Sequence, residues 1–369
     1  MKKTIDRPLL IILTILILSG FFIFSSASLG LLARDGARLS SVVFNQIVFG
    51  IVGGIIALTI TANIHYRFWR KYAFYIMGIG LTLTVLVFTP LGFAHGGAKR
   101  WLVIGHISFQ PTEFLKFAFI IYMATWLSGM QKHIQTITKG ILPFGGIIAI
   151  VGAIMLAQPD TDTFAIMTGS AVAMFITAGG RWRDVLLTGV IGLVLFAGLA
   201  IERPYIMNRL NSYFDSSLDQ QGQGWQVKQS LIAIGSGGFV GRGFGQSIQK
   251  FEYLPEPTTD SIFAVLGEEF GFLGTTFLIV LFSLFTLRGF RIAVDSPDLF
   301  GMLLVVGFVM IIVLQAFLNI AAMLALAPLS GLPLPFISHG GTALLSTLAS
   351  VGIILNVSKY RKHFGAKKV

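Results

Sequence analysis

Long charge-free stretches divide the chain: Pro8–Ala33, Leu39–Ile64, Tyr72–Ala94, Phe117–Gln131, Gly140–Pro159, Thr163–Gly180, Val185–Ile201 and Phe270–Leu287. A bilayer core is crossed by about 20 helical residues, so this pattern predicts a series of membrane spans. Phe117–Gln131 alone is too short to cross, which moves the start of the fourth span to near Pro111 and places Glu113 and Lys116 inside it. The eighth span absorbs Glu268 and Glu269 in the same way. From Leu299 to Ser358 the only ionisable residue is His339, and Pro328, Gly331, Pro333 and Pro335 break the stretch into two spans. The expectation is an all-α polytopic membrane protein with about ten transmembrane helices, folded as a single domain over residues 1–369.

The first span follows Lys2, Lys3 and Arg7 and ends in Ser25-Ser26-Ala27-Ser28, which resembles a secretory signal. Its apolar run is longer than the roughly 7–15 residues of a cleaved signal core, so it reads as a retained helix. Ten spans put both termini on one side. Of the 27 Lys and Arg, 17 fall on that side, 9 on the other and Lys116 within a span, which by the positive-inside rule places both termini in the cytoplasm. One connection breaks the run of short loops: Glu202–Thr259, expected outside, holds Tyr205, Tyr213, Trp225, Phe251 and Tyr253. A loop of that length is usually functional or disordered, and so many aromatics predict one packed against the outer face.

Composition agrees with the pattern. Hydrophobic residues make up 54% and charged residues 12%, with mean hydropathy +0.81, against about 25% charge in soluble domains. The absence of Cys removes disulfides, thiolate metal sites and cysteine nucleophiles. A net charge of +11 would suggest nucleic acid in a soluble protein; here it reports orientation, and no nucleic-acid partner is expected.

Ionisable groups within spans cost free energy and ask for a reason. Glu113 and Lys116, at i and i+3, share a helix face and can neutralise each other. They read either as an internal pair or as the polar wall of an outward-opening cavity, because Gln110, Lys99, Arg100, Trp101 and His106 lie at the same level. Asp260 sits where the long loop enters the eighth span. It either complements the helix dipole or acts as a general base whose pKa is raised by partial burial. Glu252 and Glu256 lie close in sequence and could tune that base or hold a divalent cation such as Mg2+; no other cofactor is implied.

The run Gly235–Gly245, with Arg242 inside it, matches neither a dinucleotide fingerprint nor a P-loop. It reads as a flexible loop or close helix packing, with an anion-binding backbone as the alternative. Asp160 and Asp162 fit helix capping. Ser338-His339-Gly340-Gly341 has no adjacent Asp to suggest a triad.

Four blocks then carry a resemblance. They are Gly97-Ala98-Lys99-Arg100-Trp101 with Gln110-Pro111-Thr112-Glu113 and Lys116; Gln158-Pro159-Asp160; Phe251-Glu252-Tyr253-Leu254-Pro255-Glu256 through Thr259-Asp260 to Gly267-Glu268-Glu269 and Gly271; and Gly331-Leu332-Pro333-Leu334-Pro335 through Ser338, Gly340 and Gly341. Together they resemble the SEDS family of membrane proteins, whose members FtsW and RodA polymerise peptidoglycan glycan strands, and Gln246–Tyr253 looks closer to the division branch, FtsW, than to the elongation branch, RodA. The chain departs from the family pattern at Thr258, Ser261 and His339 and keeps the aspartate.

The resemblance implies a peptidoglycan glycosyltransferase of the bacterial cytoplasmic membrane, acting on lipid II, an undecaprenyl pyrophosphate-linked disaccharide-peptide, for cell division or cell shape. Asp260 would be the base of an inverting transfer. Lys99, Arg100 and Arg242 would meet the leaving pyrophosphate, with Lys116 as a deeper contact or as the group that orients Asp260 and Glu113. Trp101, Gln110, Glu252 and Glu256 complete the expected substrate-binding or activating set. The implied partners are a class B penicillin-binding protein transpeptidase and other divisome or elongasome membrane proteins. The competing reading is a lipid II flippase, but transporter sites tend to lie near the midplane, whereas these carboxylates cluster at one face.

Overall fold

The structure, a computed structural model, describes residues 4–34, 36–95, 98–104, 107–202, 207 and 222–361. Ten helical segments account for the ten expected spans. They are α1 (Arg7–Arg34); α2 (Gly36–Asn45) continued by a π-helical stretch Gln46–Val52 into α3 (Gly53–Asn63); α4 (Arg67–Leu86); α5 (Pro111–Met130); α6 (Leu142–Ala157); α7 (Thr161–Thr177); and α8 (Trp182–Glu202). After the helices of the long connection, α9 (Gln223–Ser236) and the single-turn α10 (Gln249–Glu252), come α11 (Ile262–Val294), α12 (Leu299–Met323) and α13 (Gly341–Ser358). Six of these segments are long and apolar enough to cross a membrane on length and composition alone. Of the others, α5 carries the Glu113/Lys116 pair and α7 has only 17 residues.

The centre of the bundle is α12, with 78% of its apolar window buried, against 39% for α1. It packs on α11, α7 and α5, while α13 packs chiefly on α3. Small residues permit that last approach: a Cβ on Gly352 would collide with Thr61 and Leu58, and one on Gly54 with the Leu348 side chain. Close backbone contact of this kind replaces hydrophobic driving force between helices in lipid.

Two features were not legible as spans. The third expected span, Tyr72–Ala94, stops as a helix at Leu86, and Gly92–His95 instead forms β1. It pairs antiparallel with β2 (Ala98–Ile104), which pairs with β3 (Ile107–Phe109), in the order β1-β2-β3. A charge-free tail of strand and a charge-free tail of helix look alike to a hydropathy count. The long connection is likewise partly helical: α9 lays Ala233 and Ser230 into the protein and packs along α11. Tyr205, Tyr213 and most of its first half lie outside the described residues, as does His106.

The glycine run after α9 is built into a break in α11. Gly271 has φ +62°, which interrupts the helix. There Phe272 N–H donates to Gly238 O (2.9 Å) and Leu273 N–H to Phe239 O (3.2 Å), while Arg242 N–H and Gly243 N–H donate to Glu268 O and Glu269 O (3.0 and 2.9 Å). The turn thus supplies the partners that the kinked helix cannot give itself, as backbone groups away from water require. Glycine is needed because the backbones touch: a Cβ at Gly241 would overlap Glu269 O.

At the far end of the bundle both termini meet. Asp6 accepts from Arg288 Nε (2.9 Å) and from Arg361, and its own N–H donates to Ser358 Oγ (3.1 Å). Burial alone would raise the Asp6 pKa, but hydrogen bonds from Arg288, Leu9 N–H and Arg361 hold it below the ordinary value. Helix α5, at about 1.5 Å per residue, separates this end from the sheet. Cysteines placed at Ser108 and Lys132, both exposed and on either side of α5, should therefore be labelled from opposite sides of the membrane. In intact cells an impermeant thiol reagent is expected to modify the Ser108→Cys protein and spare the Lys132→Cys protein; labelling of both would mean that α5 does not span.

Candidate active site

Asp260 closes the turn that leads into α11. Pro255 and Pro257 flank Glu256, which adopts φ +44°, and Thr259 N–H and Ser261 N–H both donate to Glu256 O (3.2 and 3.3 Å). A non-glycine residue in this region is strained, and such strain survives only where surrounding contacts enforce it. Thr259 Oγ1 lies 3.1 Å from Glu256 Oε2 and 3.2 Å from Asp260 Oδ1, so its one hydrogen can be given to either carboxylate. Asp260 itself is half-buried. Burial, then the negative charge of Glu256, push its pKa up to about 6, against hydrogen bonds from Gln226 and Thr259 that favour the charged form.

The enforcing contacts come from the proline-rich loop between α12 and α13. Ser338 Oγ donates to Thr259 O and accepts from Leu334 N–H (2.7 Å), and His339 N–H donates to Thr258 O (2.7 Å). Gln46, buried at the start of the π-helical stretch, donates to Ser338 O (3.3 Å) and accepts from Gly340 N–H (3.1 Å). Asn319 Nδ2 on α12 donates to both Asp260 O and Leu332 O (2.8 Å each). The loop reaches α1 as well: Phe336, at φ +69°, puts its carbonyl where a Cβ of Gly20 would stand.

Glu113 and Lys116 form a buried pair at 2.9 Å, with side chains 4% and 7% exposed. Lys116 Nζ also donates to Gln315 Oε1 (2.7 Å), and Gln315 Nε2 donates to Pro333 O (2.7 Å). The pair is therefore connected through α12 to the same loop that holds Asp260. Of the sheet residues, Lys99 is exposed and Trp101 half-buried. Arg100 donates to the carbonyls of Gln158 and Pro159 and so fastens the sheet to the α6–α7 turn, where Asp160 caps α7 through Thr163 N–H (3.4 Å). Gln110 is half-buried and gives its carbonyl to Glu113 N–H (3.1 Å). Arg242 lies 3.6 Å from Glu268 Oε1, with its side chain 36% exposed.

A second buried cluster was hidden in the sequence. Lys250 Nζ binds Glu269 Oε1 (2.6 Å) and Ser26 Oγ (3.0 Å), and Glu268 accepts from Ser247 Oγ and the N–H groups of Ile248 and Gln249. These contacts dock the segment before Asp260 onto α1 and α11. Gln226, Gln315 and Asn319 were not legible as site residues either, and Ser338 stood out only as a motif residue without a partner. The available signal was Gln315 and Asn319 at i and i+4 in an otherwise apolar span. Among the described residues no three His, Cys, Asp or Glu come together as a metal site. Glu252 and Glu256 are exposed, and the Glu256 carboxylate is hydrogen-bonded to Thr259.

Removing one member of a buried ion pair leaves an uncompensated charge and costs about 3–5 kcal/mol. Lys116→Met should accordingly lower the unfolding temperature measured in detergent, and Glu113→Gln added to it should restore most of the loss. A double variant no more stable than the single one would show that the two side chains are not coupled.

The family profile named for FtsW, RodA and SpoVE, described as cell cycle protein, matches residues 7–363. Stage V sporulation protein E of Bacillus subtilis (strain 168) is 41% identical over 98% of this chain and 99% of its own. A probable peptidoglycan glycosyltransferase FtsW of Trichlorobacter lovleyi is 36% identical over 96% of this chain and 93% of its own. Among solved structures, a chain of a peptidoglycan synthase complex that coordinates polymerization and crosslinking superposes with TM-score 0.79 at 27% identity, covering 98% of this chain and 99% of that one. A mutant form of the rod shape determining protein RodA of Thermus thermophilus gives TM-score 0.71 at 26% identity, covering 96% and 97%. With the match running over nearly its whole length, the chain belongs to the FtsW/RodA/SpoVE family of multi-pass membrane proteins.

Proposed function

We propose that this protein is a peptidoglycan glycosyltransferase that polymerises lipid II, with Asp260 as general base. One observation carries the catalytic assignment: a half-buried carboxylate with its pKa pushed up to about 6, on a strained turn held by α12 and by the α12–α13 loop. Family membership supplies the reaction class. In the transfer, Asp260 takes the proton of the acceptor sugar's 4-hydroxyl while that oxygen bonds to the donor's anomeric carbon. The bond from that carbon to the lipid pyrophosphate breaks, and the pyrophosphate leaves with the electron pair. Lys99 and Arg242, both exposed, are the cations we assign to the leaving charge; Arg100, engaged with two carbonyls, positions the sheet. Trp101 and Gln110 line the same end of the bundle, and Glu113 with Lys116 stiffens the wall behind them. The Asp260 end faces outward from the bacterial cytoplasmic membrane and the termini lie in the cytoplasm, consistent with the Lys and Arg count.

We further propose that the protein works with a class B penicillin-binding protein transpeptidase, within a divisome or elongasome, docked against the connection that leads into Asp260. The observation behind this is that the connection is folded, with exposed Phe239 and Val240 in the glycine run after α9 and exposed Tyr253 just after α10, more surface than a connection requires.

A general base contributes about 10²- to 10⁴-fold. Asp260→Asn keeps the side-chain shape and should abolish glycan chains made from labelled lipid II by the purified protein while leaving its unfolding temperature unchanged. More than about a tenth of the wild-type rate would return Asp260 to a structural role. Because the carboxylate must be ionised to accept a proton, the rate should fall as pH drops through about 6, by roughly tenfold per unit below it; a rate flat across that range would contradict the assignment. Added transpeptidase partner should co-purify with the protein and raise its polymerisation rate, and equal rates with and without it would dispose of the activation.

A further inference from the structure

Asn319 is fully buried in α12, the most apolar span of the protein. A carboxamide there is costly unless it is hydrogen-bonded; both hydrogens of its amide are used, while Oδ1 has no partner among the described residues. One hydrogen reaches Asp260 O, 59 residues earlier in the chain, and the other Leu332 O, 13 residues later, each at 2.8 Å. Gln315 stands one turn away on the same face and carries the contact further, donating to Pro333 O and accepting from Lys116 Nζ, both at 2.7 Å. Two amides thus hold Asp260 O in the turn before α11 and two carbonyls, Leu332 O and Pro333 O, in a segment where Pro333 and Pro335 have no N–H with which to build a ladder of their own.

We propose that Asn319 is a positioning residue for the transfer. It fixes Asp260 by the backbone and leaves the carboxylate only its own side-chain torsions, while Gln315 ties the neighbouring carbonyl to the Glu113–Lys116 pair. The proposal rests on the reading of Asp260 as the base. Leucine would fill the same space and gain apolar contact, so what the carboxamide adds is geometry. A shift of about 1 Å in a reacting group can cost about 10²-fold in rate.

The test is steady-state polymerisation of lipid II by the purified full chain, with kcat and KM resolved. Asn319→Leu removes both donors while keeping the branched shape and should lower kcat by about 10²-fold with KM changed less than about twofold, since no substrate contact is removed. Asn319→Gln keeps a two-hydrogen amide on the same face and should recover kcat to within about tenfold of wild type. An unchanged kcat in Asn319→Leu, or equal losses in the Leu and Gln variants, would overturn the proposal. Should Asn319→Leu fail to fold, Gln315→Met decides: it leaves Asn319 in place, and kcat is expected to drop about tenfold, with no drop counting against the inference. Asp260→Asn, measured in parallel, separates the two ideas. If that variant is inactive while Asn319→Leu is normal, only the positioning role falls; if it is fully active, the base assignment falls and takes the positioning role with it.

Discussion

Inside a bilayer no water is present to complete a hydrogen bond, so each polar group that enters a span must be satisfied by the protein itself. That constraint shapes this molecule more than apolar burial does, because lipid tails solvate Leu and Phe nearly as well as a protein core. Glu113 is neutralised by Lys116, which is completed by Gln315, which in turn reaches a loop carbonyl. Lys250 is neutralised by Glu269 and completed by Ser26. Each chain of partners crosses between elements far apart in sequence. Satisfying the charge and fixing the tertiary arrangement are therefore one event.

The same constraint explains where regular structure stops. At Gly271 the helix loses its own bonds and recovers them from the glycine run, which can approach only because Gly237 and Gly241 carry no side chain. Between α12 and α13 the prolines deprive the backbone of donors, and Asn319, Gln315, Ser338 and Gln46 provide hydrogen bonds from side chains instead. Irregular backbone at membrane depth is tolerated where it is enclosed by protein, and here the enclosed irregular segments are the ones that bear on Asp260. Among the described residues the four non-glycine residues with positive φ, Pro159, Glu256, Ala325 and Phe336, all belong to the turn before α11, to the α12–α13 connection or to the α6–α7 turn that Arg100 grips. Strain and polar anchoring collect at one end of the bundle.

That distribution suits a reaction in which a lipid-linked donor and a growing sugar chain must be aligned at a membrane face. A base held by its backbone can keep its position while the side chain responds to substrate. The opposite end, where Asp6 gathers Arg288 and Arg361 and Tyr66 and Arg67 meet Asp298, is a clasp that ties both termini and two helix ends together. It carries no comparable strain among its described residues.

The sequence by itself determined the number of spans, the placing of both termini at one end and the family, and it singled out Asp260 and the Glu113–Lys116 pair, on which the proposed reading rests. All of these follow from composition along a line: charge-free length reports span, and a charge inside a span reports a buried partner or a site. What only the tertiary structure decided is how those groups are held. Hydropathy could not distinguish the strand at Gly92–His95 from the end of a helix, since both are charge-free. It could not show Arg100 spent on the carbonyls of Gln158 and Pro159, nor Glu268 and Glu269 docked on Ser247 and Lys250. Nor could it join Asn319 to Asp260 across 59 residues. A local pattern records what a residue is and how far it sits from its chain neighbours, whereas these contacts are made by segments that meet only once the helices have packed, and the partner of a buried polar group is chosen by that meeting.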